Sequence, residues 1–339
     1  MQPSRFLRQT IHHITMTSKP PQKPAKEKRP PLTHFLCLPL VNATSLPQLE
    51  TSLSTFKTSI PAQDDHGPLV PAGALRPVGT LHLTLGVMSL PTRERLEDAI
   101  SFFHSLDLLA MVREAGRRAR FSTTDDKNSE DKSEEEKDKE KNKEGGTPPF
   151  TISLESLHAL PRARAATVLH AAPVDPTARL YPFCEMLREK FLHAGFLQGE
   201  VRHKAAGEEG PVPRPKARPL LLHATVANTI YVRGRKDGGS RKGRNDRIAF
   251  DARDLVAWYR GFYADRERTV PKSLQSASLG DGGSRGYPFV WAREFPVESV
   301  CICEMGAKKL DSVGDASGLN ARLGEKYAAV AERRLDFGY

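Results

Sequence analysis

The chain has 339 residues, of which 38% are hydrophobic and 27% charged, and its formal net charge at pH 7 is +10. No apolar run approaches the roughly 20 residues that a membrane-spanning helix requires, and four scattered cysteines are too few for a disulfide framework. The composition therefore excludes a membrane-spanning protein and predicts a soluble globular domain of a reducing compartment, with no membrane association.

Residues 1–31 predict a disordered tail, because the segment is basic and proline-rich and holds no acidic residue before Glu27. The run at residues 23–29 is typical of a weak nuclear-import patch. A short mitochondrial presequence is the alternative, since the segment contains arginine and has weakly amphipathic spacing. We expect the protein in the nucleus, the cytoplasm or both, ahead of the mitochondrion.

The first half of the folded domain predicts alternating strands and helices. Its predicted elements are a strand at residues 34–40, a helix at 46–60, a Gly- and Pro-rich loop at 61–77, a strand at 81–85 and a helix at about 92–104. Pro39 near the end of the first strand indicates an edge strand or a bulge. Ser45 is placed to cap the first helix.

A charged insertion at about 121–149 separates the two halves and is predicted to be disordered, because it has almost no apolar residues with which to form a core. Between Asp125 and Glu144 it holds ten acidic residues against six lysines, a local net charge of −4. The remainder of the chain therefore carries +14. A surplus of this sign favours a polyanionic partner such as RNA.

The second half repeats the order of elements, which indicates an internally duplicated, pseudo-two-fold fold. Its predicted elements are a hairpin of strands at 150–154 and 166–170, a helix at 180–194 with Gly195 as its C-cap, a basic loop at 199–219, a strand at 222–226, a helix at 250–258 capped by Asp251, and strands at 287–293 and 297–304. Cys301 and Cys303 fit an alternating strand better than half a zinc site. Residues 307–339 form a C-terminal extension, in which 328–335 predict a short helix.

One five-residue pattern occurs twice: Leu-His-Leu-Thr-Leu at residues 81–85 and Leu-His-Ala-Thr-Val at 222–226. In a strand, successive side chains point to opposite faces, so each pentad sets its His and Thr side by side and buries its three apolar residues. A His two places before a Thr also arises by chance, as at residues 13–15. Two ordinary half-buried strands are therefore the alternative interpretation.

Two such pairs facing one groove would supply a general base, a general acid and two hydroxyl donors to a phosphate, with no metal or cofactor. One of His82 and His223 would act as the general base and the other as the general acid. Thr84 and Thr225 would bind the non-bridging oxygens. The pattern leaves open which histidine is the acid and which is the base.

Residues 232–247 form a glycine-containing basic loop shortly after the second pentad, and such a loop is suited to track a phosphate backbone. An ordinary solvated insertion is an equally supported alternative. The predicted nucleic-acid-binding residues are Arg233, Arg235, Lys236, Arg241, Lys242 and Arg244.

Several segments together resemble the 2H phosphoesterase superfamily (LigT-like). They are the two pentads, His-Ala-Thr-Val-Ala-Asn-Thr at 223–229, Phe-Asp-Ala-Arg at 250–253 and Ser-Val-Cys-Ile-Cys-Glu-Met-Gly at 299–306. Within the superfamily they are most similar to the A-kinase anchor protein 7-like phosphoesterase domain, as in activating signal cointegrator 1 complex subunit 1. The resemblance gives a phosphoesterase-like domain at residues 32–306.

The resemblance implies an α+β fold of two lobes, with two antiparallel sheets around a central groove. It also implies metal-independent action on RNA ends or small nucleotides, at a 2′,3′-cyclic phosphate or a 2′,5′-linked phosphodiester. His82 and His223 match the family's catalytic histidines, and Thr84 and Thr225 match its phosphate-binding residues. We expect a monomeric domain without a cofactor. The alternative is a non-catalytic RNA-binding or scaffold subunit of a transcription-coactivator or DNA-repair complex.

Overall fold

The computed structural model describes residues 30–63, 67–124, 148–197, 219–232, 248–260 and 288–335. The helices are α1 (Leu46–Ser59), α2 (Arg93–Ser105), α3 (Leu108–Thr124), α4 (Leu180–His193), α5 (Arg253–Arg260) and α6 (Leu319–Leu323). The strands are β1 (His34–Pro39), β2 (Ala62–Gln63), β3 (Gly67–Pro68), β4 (His82–Met88), β5 (Phe150–Leu160), β6 (Val168–Val174), β7 (Ala224–Asn228), β8 (Val290–Val297), β9 (Ser299–Glu304), β10 (Lys308–Lys309), β11 (Glu325–Lys326) and β12 (Ala329–Arg334). The predicted tail, most of the charged insertion and the basic loop from Arg233 lie outside these ranges.

Eight strands form one antiparallel sheet in the order β12-β9-β1-β4-β7-β6-β5-β8. The sheet has two halves of four strands, which meet where β4 lies beside β7. In the described part of the chain, β4 and β7 are paired at one position, Leu83 with Ala224. Neighbouring strands within each half pair at four or more positions. The predicted α+β fold is confirmed, and the two predicted antiparallel sheets are the two halves of one continuous sheet, with the two pentads at their junction.

The main hydrophobic core contains the apolar residues of both pentads together with the buried sides of the helices. On α1, Phe56 packs edge to face against Tyr259 and Trp291. Ser52 of the same helix donates a 2.7 Å hydrogen bond to the Trp291 carbonyl, which fixes the helix against β8. Burial of these large aromatic side chains stabilises the contact of α1 with α5 and β8.

The first strand lies inside the sheet, between β9 and β4, so the prediction of an edge strand is wrong. The bulge offered as the other interpretation is present, because the register with β4 shifts between Leu36 and Cys37. Pro39 is the last residue of the strand and pairs with His82. The missing amide of the proline is tolerated there because the strand ends at that point.

Of the three predicted helix caps, Gly195 and Asp251 are confirmed and Ser45 is not. Asp251 Oδ1 accepts a 3.1 Å hydrogen bond from the amide of Arg253, the first residue of α5. A further cap, Thr92, was not predicted. Thr92 Oγ1 accepts a 3.2 Å hydrogen bond from the amide of Arg95, so Thr92 caps α2. Gly195 follows α4 with φ of +72°, a conformation that favours glycine. The predicted Ser45 cap is wrong: its hydroxyl donates instead to the Leu40 carbonyl at 2.6 Å, and its helical backbone does not suit a cap.

Two elements differ from the sequence prediction. Helix α3 was not predicted, although its buried residues Leu108, Met111, Val112, Ala115 and Ala119 have helical spacing. It continues to Thr124, so the predicted start of the disordered insertion at 121 is too early. Residues 328–335 form strand β12 and not a helix, because pairing with β9 overrides the helix propensity of Ala, Glu and Arg.

The C-terminal side of the charged insertion is held by Arg179, which donates 3.1 Å hydrogen bonds to the carbonyls of Pro148 and Pro149. Its guanidinium also lies over the ring of Phe150. These contacts connect the start of β5 to the N-terminus of α4. Within the described ranges, no helix has the length and apolar content to cross a membrane.

Candidate active site

The pentads alternate as the sequence predicts. Leu81, Leu83 and Leu85 are buried, as are Leu222, Ala224 and Val226. The histidines and threonines between them, His82, Thr84, His223 and Thr225, are half-buried on the other face of the sheet. Each His therefore lies on the same face as the Thr two residues on, away from the main core.

The pairing of β4 with β7 brings the two motifs together. Because Leu83 is opposite Ala224 in an antiparallel pair, His82 is opposite Thr225 and Thr84 is opposite His223. The two histidines are then diagonal neighbours, a relationship that separates Cα atoms by about 7–8 Å. At this spacing two imidazoles can reach one phosphate group.

The two histidines are held in the same way. Nδ1 of His82 lies 2.8 Å from the carbonyl oxygen of Thr80, and Nδ1 of His223 lies 2.9 Å from that of Leu221. A carbonyl oxygen only accepts, so each Nδ1 carries a hydrogen and donates it. Nε2 is then the ring atom that remains to exchange a proton with a ligand.

The pKa of His82 is lowered to about 4. Burial is the main cause, the nearby charges of His223 and Arg76 act in the same direction, and the bond to the Thr80 carbonyl opposes them. The imidazole of His82 is therefore neutral at pH 7 in the free protein. A neutral imidazole is ready to accept a proton, as a general base requires.

A third histidine, His170 on β6, packs against the second motif. It is 5% exposed, and its ring centroid is 5.0 Å from that of His223 at an interplanar angle of 64°. On its other side His158 stacks at 5.4 Å. Burial, followed by the charges of His223 and His158, lowers the pKa of His170 to about 4. The second catalytic candidate therefore lies against a neutral, buried imidazole.

Aromatic side chains surround the first motif. The ring of Tyr327 meets that of His82 edge to face at 5.1 Å, and Phe35 packs against both rings at 4.9 Å. The hydroxyl of Tyr327 is 3.3 Å from that of Tyr231, which follows β7. Tyr327 therefore contacts the first motif directly and reaches the strand of the second.

Arg76, in the loop before β4, contacts both Tyr231 and strand β7. Its guanidinium lies 3.8 Å above the ring of Tyr231, and its amide donates to the Val226 carbonyl of β7 at 2.9 Å. Its Nη2 is 4.0 Å from Glu325 and has no hydrogen-bond partner among the described residues. This buried positive charge lies close enough to His82 to lower the pKa of its imidazole.

A cavity of about 170 Å³ adjoins His82 on the first half of the sheet. Three thiols contribute to its wall, those of Cys37, Cys301 and Cys303. Cys37 on β1 pairs in register with Thr84 on one side and Cys301 on the other, and its Sγ is 3.7 Å from that of Cys303. Contact with Cys303, followed by burial, raises the pKa of the Cys301 thiol well above its usual range. The Cys301 thiol is thus uncharged and contributes an apolar surface to the wall.

Several of these residues were not identified from sequence. His170 lies in a predicted strand within an apolar frame like those of the pentads, so a signal was present. Tyr327 lies in the C-terminal extension, where no sequence pattern indicates a role. Of the predicted nucleic-acid-binding residues 233–244, none lies in the described ranges. The described residues contain no cluster of three or more His, Cys, Asp or Glu suited to hold a metal ion.

Two His-x-Thr pairs on adjoining antiparallel strands, each His held through Nδ1, are the arrangement that the 2H phosphoesterase resemblance implies. Family comparison gives the same class: the family described as "AKAP7 2'5' RNA ligase-like domain" matches residues 32–277, or 246 of the 339 residues. The chain belongs to this family. The superfamily resemblance is therefore confirmed.

Two solved structures are similar to the chain in fold. One is Escherichia coli LigT complexed with 3'-AMP, 14% identical, covering 90% of this chain and 98% of that chain with a TM-score of 0.37. The other is TT0787 of Thermus thermophilus, 13% identical, covering 91% of this chain and 100% of that chain with a TM-score of 0.35. No curated protein matches the chain.

Proposed function

We propose that this chain is a metal-independent phosphodiesterase acting on RNA ends or small nucleotides. The bond cleaved is that of a 2′,3′-cyclic phosphate or a 2′,5′-linked phosphodiester. The observation that carries the proposal is the pairing of Leu83 with Ala224, which makes His82 and His223 diagonal neighbours on one face of the sheet. Family membership supports phosphoesterase chemistry.

His82 is the general base in this proposal, because burial keeps its imidazole neutral in the free protein. Its Nε2 takes a proton from water, or from a ribose hydroxyl, as that oxygen attacks phosphorus. The bond from phosphorus to the leaving ribose oxygen breaks, and protonated His223 gives its Nε2 proton to that oxygen. After product release, His82 loses its proton to water and His223 takes a proton from water, which restores both rings for the next turnover.

Thr84 and Thr225 stabilise the charge that develops on the non-bridging oxygens. Each lies opposite the histidine of the other motif, so each phosphate oxygen can meet a hydroxyl from one strand and an imidazole from the next. Hydroxyl donors that are already oriented need little reorganisation during the reaction. The buried charge of Arg76 adds to the positive potential around the phosphate.

The test is a substrate panel with the full-length chain, in the presence and absence of a chelator. A 2′,3′-cyclic nucleotide and a 2′,5′-linked dinucleotide are incubated with the protein, alongside a 3′,5′-linked dinucleotide as control, and the products are separated by chromatography. We expect turnover of at least one of the first two at a rate that the chelator does not change. Absence of product from both, or loss of activity on chelation, would contradict the proposal.

A further inference from the structure

The cavity beside His82 is built by two parts of the chain that are far apart in sequence. Strands β1 and β9 supply Cys37 and Cys301 on one side, and the C-terminal segment supplies Tyr327 and Ala329 on the other. A Cβ atom at Gly79, which also lines the cavity, would collide with the Glu325 carbonyl. Glycine therefore allows the C-terminal segment to approach closely enough to close this side of the site.

The size of the cavity limits what it can hold. Its volume of about 170 Å³ is below the roughly 300–1,000 Å³ of pockets that accept drug-sized ligands. One ring system of the size of a nucleobase fits this space, whereas a longer piece of a nucleic acid does not. Because His82 forms part of the wall, a group in the cavity lies beside the imidazole of His82.

The residues that line the cavity are suited to bind a flat, uncharged part of a ligand. The thiols and the edge of the cavity at Leu323 are apolar, and the Tyr327 ring offers a surface for base stacking. Glu298 and Glu332 carry two negative charges at the wall against the one positive charge of Lys326. Carboxylates accept hydrogen bonds from amino and hydroxyl groups and repel a further phosphate.

We propose, on the basis of the phosphodiesterase function above, that this cavity binds the terminal nucleoside of the substrate. The enzyme then acts at the end of an RNA or on a dinucleotide, because a chain that continued through the cavity would bring its next phosphate against Glu298 and Glu332. The C-terminal segment sets this specificity, since it supplies the stacking ring of Tyr327 and the wall at Ala329.

The experiment measures binding and does not depend on turnover. The full-length protein is titrated with adenosine 3′-monophosphate and, separately, with inorganic phosphate. The test variant is Ala329→Phe, which places a large side chain in the cavity from an exposed strand position. Two variants serve as controls: Ala329→Ser leaves the cavity open, and Ala110→Phe introduces the same side chain at an exposed position of α3. We expect Ala329→Phe to weaken nucleotide binding by about tenfold or more, the effect of one lost base-stacking contact, with phosphate binding unchanged. The other two variants should bind as the wild type does.

A second arm tests the exclusion of a further phosphate. Adenosine 3′,5′-bisphosphate should bind the wild type more weakly than the 3′-monophosphate does, and the double variant Glu298→Gln, Glu332→Gln should remove the difference. Unchanged nucleotide affinity in Ala329→Phe, or tighter binding of the bisphosphate to the wild type, would overturn the cavity assignment even if the enzyme turns over its substrates. The expected binding pattern in a protein without turnover would uphold the cavity and reject the catalytic proposal.

Discussion

The imidazoles of His170 and His223 meet edge to face, with ring centroids 5.0 Å apart, whereas His82 meets the phenol ring of Tyr327 at 5.1 Å. The two catalytic candidates have the same bond from Nδ1 to a backbone carbonyl but different neighbours. Pseudo-symmetric motifs are thereby placed in unequal surroundings. Unequal surroundings allow one histidine to act as a base while the other acts as an acid.

We expect His170 to make the protein sensitive to acid. Burial lowers its pKa from 6.5 to about 4 in the folded state, so the unfolded state binds more protons as the pH falls through this range. Stability from this group is present above pH 6.5 and lost towards pH 4, by up to about 3 kcal/mol. His170→Phe should therefore reduce the fall in unfolding free energy between pH 7 and pH 4, measured by urea denaturation.

The matched control for that measurement is His104→Phe, because His104 is an exposed histidine on α2. This variant should show the same pH dependence as the wild type. If His170→Phe and the wild type lose stability in parallel as the pH falls, His170 is not held neutral by burial.

The pH dependence of kcat/KM tests the assignment of His82 as the base. Since kcat/KM reports ionisations of the free enzyme, loss of the neutral base should not lower it between pH 7 and about 5, and the acid-side decline should come only near the low pKa of His82. Arg76→Gln removes a charge that lowers this pKa, so the decline should move to higher pH. Arg76→Lys keeps the charge and should preserve the wild-type profile. A decline near pH 6.5 in the wild type would point to another base.

Thr84→Val and Thr225→Val should each lower kcat by about 100-fold, because each removes one hydroxyl donor from the developing charge on phosphorus. Valine keeps the branched shape and the strand preference of threonine, so folding should be maintained. Steady-state kinetics on the substrate identified above measure the effect. The control variants Thr84→Ser and Thr225→Ser keep the hydroxyl and should retain most of the wild-type rate. If the valine variants have the same kcat as the wild type, neither hydroxyl contacts the transition state.

The basic loop provides a test of RNA contact away from the reacting phosphate. Replacing Arg233, Arg235 and Lys236 by glutamine should flatten the dependence of log K for a single-stranded RNA on log salt by about 0.7 per lost phosphate contact. Turnover of a small cyclic nucleotide should not change, because such a substrate has no flanking phosphate for basic side chains to contact. An unaltered salt slope would support the solvated-insertion interpretation of residues 232–247.

The sequence predicted the two motif strands because side chains in a strand alternate between its two faces, so the spacing of apolar residues shows which side chains share a face. The apolar frame around His82 and His223 identified both strands and the histidine–threonine face, and the structure agrees. The same reasoning failed at residues 328–335, where Ala, Glu and Arg favour a helix in isolation. There, hydrogen bonding to β9 makes an edge strand, a contact that no local pattern reveals.

The surroundings of the site depend on the order of strands in the sheet, which single-sequence patterns do not give. His170 meets His223 because β6 lies beside β7, and Tyr327 meets His82 because the C-terminal segment closes over the first half of the sheet. The predicted helix cap at Ser45 failed for a related reason. Its hydroxyl donates to the Leu40 carbonyl, an interaction within a turn that competes with capping.

The most direct test of shared catalysis by the two motifs is the turnover of a 2′,3′-cyclic nucleotide by the wild type, His82→Ala, His223→Ala and the double variant. If both imidazoles act on one phosphorus centre, each single variant should lose activity by about 100-fold or more, and the double variant should be little worse than the weaker single one. His13→Ala, which alters the His-x-Thr sequence at residues 13–15, should retain full activity. Wild-type turnover in either His82→Ala or His223→Ala would contradict the account.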